Sequence, residues 1–281
     1  MGPFRVRSLR VGRGRRQKRH AEVSTTLRAV PGEFSPPVQL WKRAQELKLM
    51  TLALSLSLPA LMDPTVPVLQ WTLAKAGLPP DGDMPVNLGQ ANSNESLPFS
   101  MREILTKVTT LEGEALGHDL MSVGLILGAV RMGDLIVSRG YMRRDVPLLQ
   151  FARHFRNACA HGDRWHFFNG EPRYPARVRD LALTAELQGQ RATWTTVHPR
   201  LYVEFLDDVG AYFLQLAVQE AVDTVQVSHL GQSFEVVKRA LAEQIERAGL
   251  SGDQDWIDTP ARVIARGQRY VVRVHATPPR E

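Results

Sequence analysis

The sequence predicts a mainly α-helical fold, on three observations. Apolar residues recur at three- and four-residue intervals over most of the chain, alternating strand-like spacing is confined to short stretches, and a proline-rich segment and isolated glycines mark the gaps. At 281 residues, 43% of them hydrophobic and 23% charged, the chain can bury a sizeable core and has the composition of a globular protein.

Residues 1 to 37 read as a basic, irregular arm that ends at Pro36-Pro37. From Val38 to Leu58, VQLWKRAQELKLMTLALSLSL has helical apolar spacing with its charges in the first half. Its apolar continuation, LMTLALSLSLPALM (49 to 62), is shorter than the ~20 residues a membrane span needs and contains Pro59, so a buried helix is expected. Six prolines and the run GQANSNES then break up residues 63 to 100 into a long connection, with one short helix at LQWTLAKAG. Two helices follow, Ser100 to about Gly117 and Asp119 to about Ser138, and a charged turn around Gly140 leads to a third from Val146 to His161. Pro147 suits the first turn of that helix, and Gly162 is its expected stop because glycine adopts the left-handed closing conformation without a Cβ penalty.

An Arg-, Gly- and aromatic-rich loop spans 163 to 180. LALTAELQ and RATWTTV, on either side of Gly189-Gln190, alternate as a short β-hairpin would. A long helix is expected from Pro199 to about Val227, then a further helix over SFEVVKRALAEQIERAG and a strand-like RVIARGQRYVVRVH. The chain therefore divides into the arm (1-37), a helical extension with its linker (38-100), a central helical domain (101-230) and a C-terminal helix-and-strand extension (231-281).

The formal net charge of +6 is unevenly placed. Residues 1 to 20 carry eight Arg/Lys and no acid; the remaining 27 basic and 29 acidic residues give the body a net charge of −2. Such an arm adds salt-sensitive, sequence-blind attraction to polyanions. It has no apolar segment behind its charges and makes a poor secretory signal. One cysteine, Cys159, excludes an intramolecular disulfide and suits a reducing compartment; the expected location is cytoplasmic, with no membrane partner.

The segment FARHFRNACAHGDRW (151 to 165) carries the chemistry. On a helical wheel Leu148, Phe151, Ala152, Phe155, Ala158 and Cys159 share one arc, while Gln150, His154, Asn157 and His161 form a polar stripe opposite. Arg156 precedes His161 by five residues, about 140° away around an ideal helix. Two readings of these residues stay open. His161 is either a favourable charge at the negative end of the helix dipole or an acid/base group, and Arg156 either snorkels from the border of the apolar arc or binds an anion. Likewise Trp165, Phe167, Phe168 and Tyr174, interleaved with Arg164, Arg173, Arg177 and Arg179, either stack bases or cover the open end of a bundle.

Arg156-Asn157-Ala158-Cys159-Ala160-His161 resembles the Arg, four residues, His motif of the HEPN superfamily (higher eukaryotes and prokaryotes nucleotide-binding domains), including the polar residue directly after the arginine. Two helices before it, an HGD turn after it, then a Trp-containing hairpin and a long closing helix are similar to the stand-alone bacterial and plasmid-type branch. The resemblance covers about residues 101 to 228. It implies a four-to-five-helix bundle with a small β-hairpin inserted before the last long helix. It also implies a metal- and cofactor-independent endoribonuclease of toxin or phage-defence type, in which the RNA's 2′-hydroxyl attacks the adjacent phosphate to leave a 2′,3′-cyclic phosphate and a 5′-hydroxyl. On that resemblance His161 is the general acid/base, Arg156 the phosphate clamp and Asn157 an orienting group, with Arg153, His154 and Arg164 as substrate contacts. A homodimer with a composite site, and an antitoxin or other regulatory partner, are implied too. The alternative is a HEPN-like module that binds nucleotide, RNA or protein without catalysis.

Other chemistry fits less well. His154, His161, His166 and Asp163 match no zinc spacing, and Cys159 lies on the apolar arc away from His161. GRGRR and LGQANSNES lack the strand and the Gly-Lys-Ser/Thr of a phosphate-binding loop.

Overall fold

The computed structural model describes residues 20–22, 28–29, 34–62, 68–79, 82–83, 85–89, 96–100, 102–103, 113–251 and 255–273. Among these lie seven α-helices: α1 (Pro36–Met62), α2 (Val68–Lys75), α3 (Gly113–Ser138), α4 (Pro147–Ala160), α5 (Pro199–His229), α6 (Phe234–Arg247) and α7 (Asp255–Ala265). The chain groups into two compact units, one combining residues up to Lys48 with those from Gly128 onward, the other comprising Leu49–Leu127. Both boundaries fall inside helices, so α1 and α3 each supply both units. No helix among the described residues is long and apolar enough to cross a membrane.

In the 49–127 unit, strands β3 (Pro85–Gly89) and β4 (Ser96–Ser100) pair antiparallel where the sequence suggests only a connection. Pro98 disguises the second strand, yet a two-stranded ribbon has free edges that tolerate a residue without an N–H. Helices α1 and α3 approach closely, for a Cβ on Gly124 would lie 2.9 Å from Leu54 Cδ2. Of the helix expected from Ser100 to Gly117, residues 104–112 lie outside the described residues, and α3 already begins at Gly113.

The larger unit is organised by α5. Its buried residues fall in adjacent pairs every four positions: Leu201/Tyr202, Phe205/Leu206, Val209/Gly210 and so on to Val225/Gln226. Four residues overshoot one turn by about 40°, so over the six steps to Gln226 the buried stripe winds about 240° around the helix. One continuous helix thereby serves two different partners. Near its start Phe205 meets Phe151 of α4 at 5.6 Å and Phe155 at 6.0 Å between ring centroids. Near its end it packs against the C-terminal extension, where Val237, Leu241 and Ile245 of α6 and Trp256, Ile257, Ala261 and Ile264 of α7 are buried at helical spacing.

The extension is also tied to α5 through glutamines. Gln226 accepts from the Tyr270 N–H and donates to the Tyr270 carbonyl (3.2 Å), while Gln219 accepts from the Val272 N–H (2.7 Å) and Gln215 donates to its carbonyl (3.1 Å). These amides answer the backbone of β8 (Val271–Arg273) as a neighbouring strand would. Two short strands within the stretch read as an irregular arm also pair with this extension, β1 (His20–Glu22) parallel to β8 and β2 (Arg28–Ala29) antiparallel to β7 (Leu250–Ser251).

Two local expectations need correction. RVIA, read as strand, belongs to α7, which carries Pro260 in its interior; its apolar face at three- and four-residue spacing outweighs the β-branched residues and the proline. The hairpin lies earlier than expected, with β5 (Arg177–Val178) and β6 (Leu181–Ala182) joined through Arg179-Asp180, and Ala185–Leu187 forms a 3₁₀ turn. RATWTTV folds instead into a tight loop, because Trp194 turns through φ +64° and Thr193 bridges Val197.

Replacing Gln226 with Leu removes both bonds to Tyr270 from a buried position and is expected to cost about 1–3 kcal/mol. Urea unfolding of Gln226→Leu against the wild type checks this; an unchanged midpoint would contradict the role given to the amide.

Candidate functional site at the end of helix α4

Helix α4 is fixed by its aromatic residues. Phe155 lies 5.8 Å from Phe151, 5.9 Å from Trp165 and 6.3 Å from Tyr202 between ring centroids, and all four rings are buried. This sets the rotation of the helix and hence which side chains leave the core. Pro147 occupies the first turn, and Gly162, at φ +90°, follows the His161 cap. Asp163 is also left-handed, at φ +58°.

The strain at Asp163 is offset by its bonds. Its carboxylate accepts from the Thr193 N–H (2.9 Å), the Thr193 hydroxyl and Arg191 Nε (2.9 Å), and its carbonyl from the Ala192 N–H (2.9 Å). Charge-assisted bonds of this kind pin the turn that follows His161 to the loop at 191–193. Asp163, which the sequence offered only as a weak metal ligand, is thus an anchor.

Arg156 leaves α4 toward α3. Its Nε donates to Asp134 Oδ1 at 2.7 Å and its Nη1 to Asn157 Oδ1 at 3.3 Å. The approach is possible because residue 133 is glycine; a Cβ there would lie 2.5 Å from Arg156 Cβ and 2.6 Å from Cγ. Sequence reasoning missed Gly133 and Asp134, although a glycine inside a strongly helical pattern is the kind of signal that marks close packing. The ion pair is partly solvated, at 32% and 51% side-chain exposure, and pairs of that kind contribute about 0–1 kcal/mol. It orients the guanidinium while leaving it available to a stronger anion. Nη2 has no acceptor among the described residues.

His161 is exposed, and its N–H closes the helix by donating to the Asn157 and Ala158 carbonyls. No hydrogen bond joins its ring to another described residue, and none joins it to Arg156. The structure thus brings Arg156, Asn157 and Asp134 together, with His161 at the helix end.

The rest of the polar stripe is altered by the loops on either side of the helix. Gln150 is fully buried and donates to the Arg143 carbonyl (2.7 Å), and His154 is half-covered by Phe167, ring edge to ring at 5.3 Å. A helical wheel cannot foresee this, because the covering residues come from a loop. Burial, with Arg153 beside it, holds the His154 imidazole below its ordinary value. Arg153 is exposed. Arg164 spends one guanidinium nitrogen on the Gly189 carbonyl (2.8 Å), which ties it to the fold. Cys159 is buried, and burial pushes its thiol far up, so it is no nucleophile at neutral pH. Among the described residues no group of three His, Cys, Asp or Glu could hold a metal ion.

Comparison with protein-family models, curated proteins and solved structures finds no match for this chain.

His154 yields a pH prediction. Its folded-state value lies below the unfolded 6.5, so the unfolded chain binds the proton first and the fold loses stability as pH falls below 6.5. An NMR titration should place the His154 midpoint under 6.5, and His154→Phe, which keeps a ring against Phe167, should flatten the acid-side fall in Tm. A midpoint at or above 6.5 would contradict the burial.

Proposed function

We propose that the protein is a metal-independent endoribonuclease of toxin or phage-defence type, built on a HEPN-like bundle. The observation that carries this reading is the end of α4, where His161, with an exposed side chain, caps a helix whose Arg156 guanidinium is oriented by Asp134 and Asn157 and only partly committed. The residue types suit cleavage by the RNA's own 2′-hydroxyl. Histidine moves protons near neutral pH, taking one from the attacking 2′-hydroxyl or giving one to the departing 5′-oxygen. A guanidinium offers fixed paired donors to the charge that builds on the phosphate oxygens. Asn157 orients Arg156. The bond broken is between phosphorus and the 5′-oxygen, and the bond formed joins phosphorus to the 2′-oxygen.

A homodimer belongs to this proposal. Helical geometry through Ala160 keeps Arg156 and His161 about 140° apart on one chain. Two copies meeting at the ends of their α4 helices can set the arginine of one against the histidine of the other.

A second reading, a module that binds nucleotide, RNA or protein and catalyses nothing, is favoured by one observation: Arg156 already has a carboxylate partner. The weakness of a solvated pair argues against that ion pair as the whole role of the residue.

RNA cleavage in EDTA by the wild type, His161→Ala and Arg156→Ala separates the two. The expected outcome is cleavage that leaves 2′,3′-cyclic phosphate ends, with a loss of about a hundredfold or more in each variant and folding intact. Undiminished cleavage in the variants would exclude these roles, and no cleavage by the wild type would favour the binding module.

A further inference from the structure

The aromatic and basic loop after α4 divides into two parts with different fates. Trp165 and Phe167 are buried, and the loop returns antiparallel to the helix: Trp165 contacts Phe151 and Phe155, Phe167 lies on His154, and Tyr174 reaches Arg144, which precedes the helix. Phe168, by contrast, is 95% exposed. Its backbone is nonetheless held on both sides, because the Phe167 N–H donates to Gln188 Oε1 (2.7 Å) and the Gly170 N–H donates to the Phe167 carbonyl (2.9 Å). A large apolar ring presented to water on a pinned turn is a ready contact surface whose ordering cost on binding is small.

The same loop and the segment that leads into the helix carry cations. The guanidiniums of Arg144 and Arg173 lie 5.6 Å and 5.4 Å from the Tyr174 ring centroid, and both arginines are exposed, as is Arg153 on the helix alongside. Asp145, the nearest acid to Arg144 in sequence, is taken by Arg143 and Asp163 by Arg191, which leaves Glu171 as the acid within this segment. Helix α4, of 14 residues, is about 21 Å long, so these groups form a track from the end that carries His161 to the end that carries Tyr174.

We propose that Phe168 and the Arg144–Tyr174–Arg173 stack form a platform for single-stranded RNA, Phe168 stacking on an unpaired base while Arg144, Arg173 and Arg153 hold flanking phosphates. An exposed aromatic ring on the same stretch of chain as three arginines with no carboxylate partner among the described residues matches a polyanion with aromatic faces. Single strands are preferred because a base paired in a duplex cannot turn its face to the ring. The proposal rests on RNA being the ligand of this helix end.

The test is fluorescence anisotropy with a labelled single-stranded RNA and the duplex of the same sequence. The full-length protein carries His161→Ala so that the RNA stays whole. Phe168→Ala should weaken single-strand binding by about 5- to 150-fold, the range for loss of one stacked base, and duplex binding far less. Arg144→Ala with Arg173→Ala should flatten the logarithmic salt dependence by about 1.4, the share of two phosphate contacts on a single strand. Single-strand binding unchanged by Phe168→Ala, as a protein-contact role would give, overturns the proposal, and so does an equal loss for both RNAs. Chains with an intact His161 that bind single strands through Phe168 yet cut none would sink the nuclease and leave this platform standing.

Discussion

The packing of Phe155 among Phe151, Trp165, Tyr202 and Phe205 is the constraint on which the candidate site depends. An aromatic cluster of this size contributes buried area and preferred ring geometry together, so it fixes α4 in rotation as well as in depth. With that face turned inward, Arg156 emerges toward Gly133 and Asp134, and the helix runs straight out to His161. Trp165 belongs to the same cluster, and its indole N–H reaches the Thr196 hydroxyl at 3.1 Å. The loop after the helix is therefore built into the core from its third residue beyond Gly162, and Asp163 secures the interval between them.

The same logic extends along α5. A stripe that repeats every four residues turns slowly around a long helix, and this turning lets one end of α5 complete the aromatic cluster while the other receives the C-terminal extension. The glutamines at 215, 219 and 226 supply the directional part of that contact. Apolar packing holds α6 and α7, and amide-to-backbone bonds set the register of β8 beside them.

The sequence made the helices of the larger unit legible because their signals are local. Pro147 and Gly162 bracket α4, and the apolar spacing from Pro199 locates α5. It was misleading where tertiary packing decides. Gln150 reads as a surface residue and is buried, because the carbonyl it serves lies in the preceding loop. Val263 and Ile264 read as strand, but Trp256, Ile257 and Ala261 complete a helical face with them. The hairpin at 177–182 lacks the usual Asn-Gly or Asp-Gly turn; Arg179 adopts φ +51° there, held by an ion pair to Asp208 at 2.7 Å. At the site, the Arg-and-His spacing could be read directly, whereas Asp134 comes from another helix and could not.

That spacing carries the central proposal: Arg156 and His161 lie about 140° apart around an ideal helix, and the proposed site is completed by a second chain. The direct measurement is complementation. Arg156→Ala and His161→Ala chains, each inactive alone, are co-expressed and the mixed dimer is assayed for RNA cleavage. In the mixed dimer the two lesions share one site, and the other keeps an intact arginine and an intact histidine from different chains, so activity should return. Mixed dimers as inactive as their parents would contradict the account.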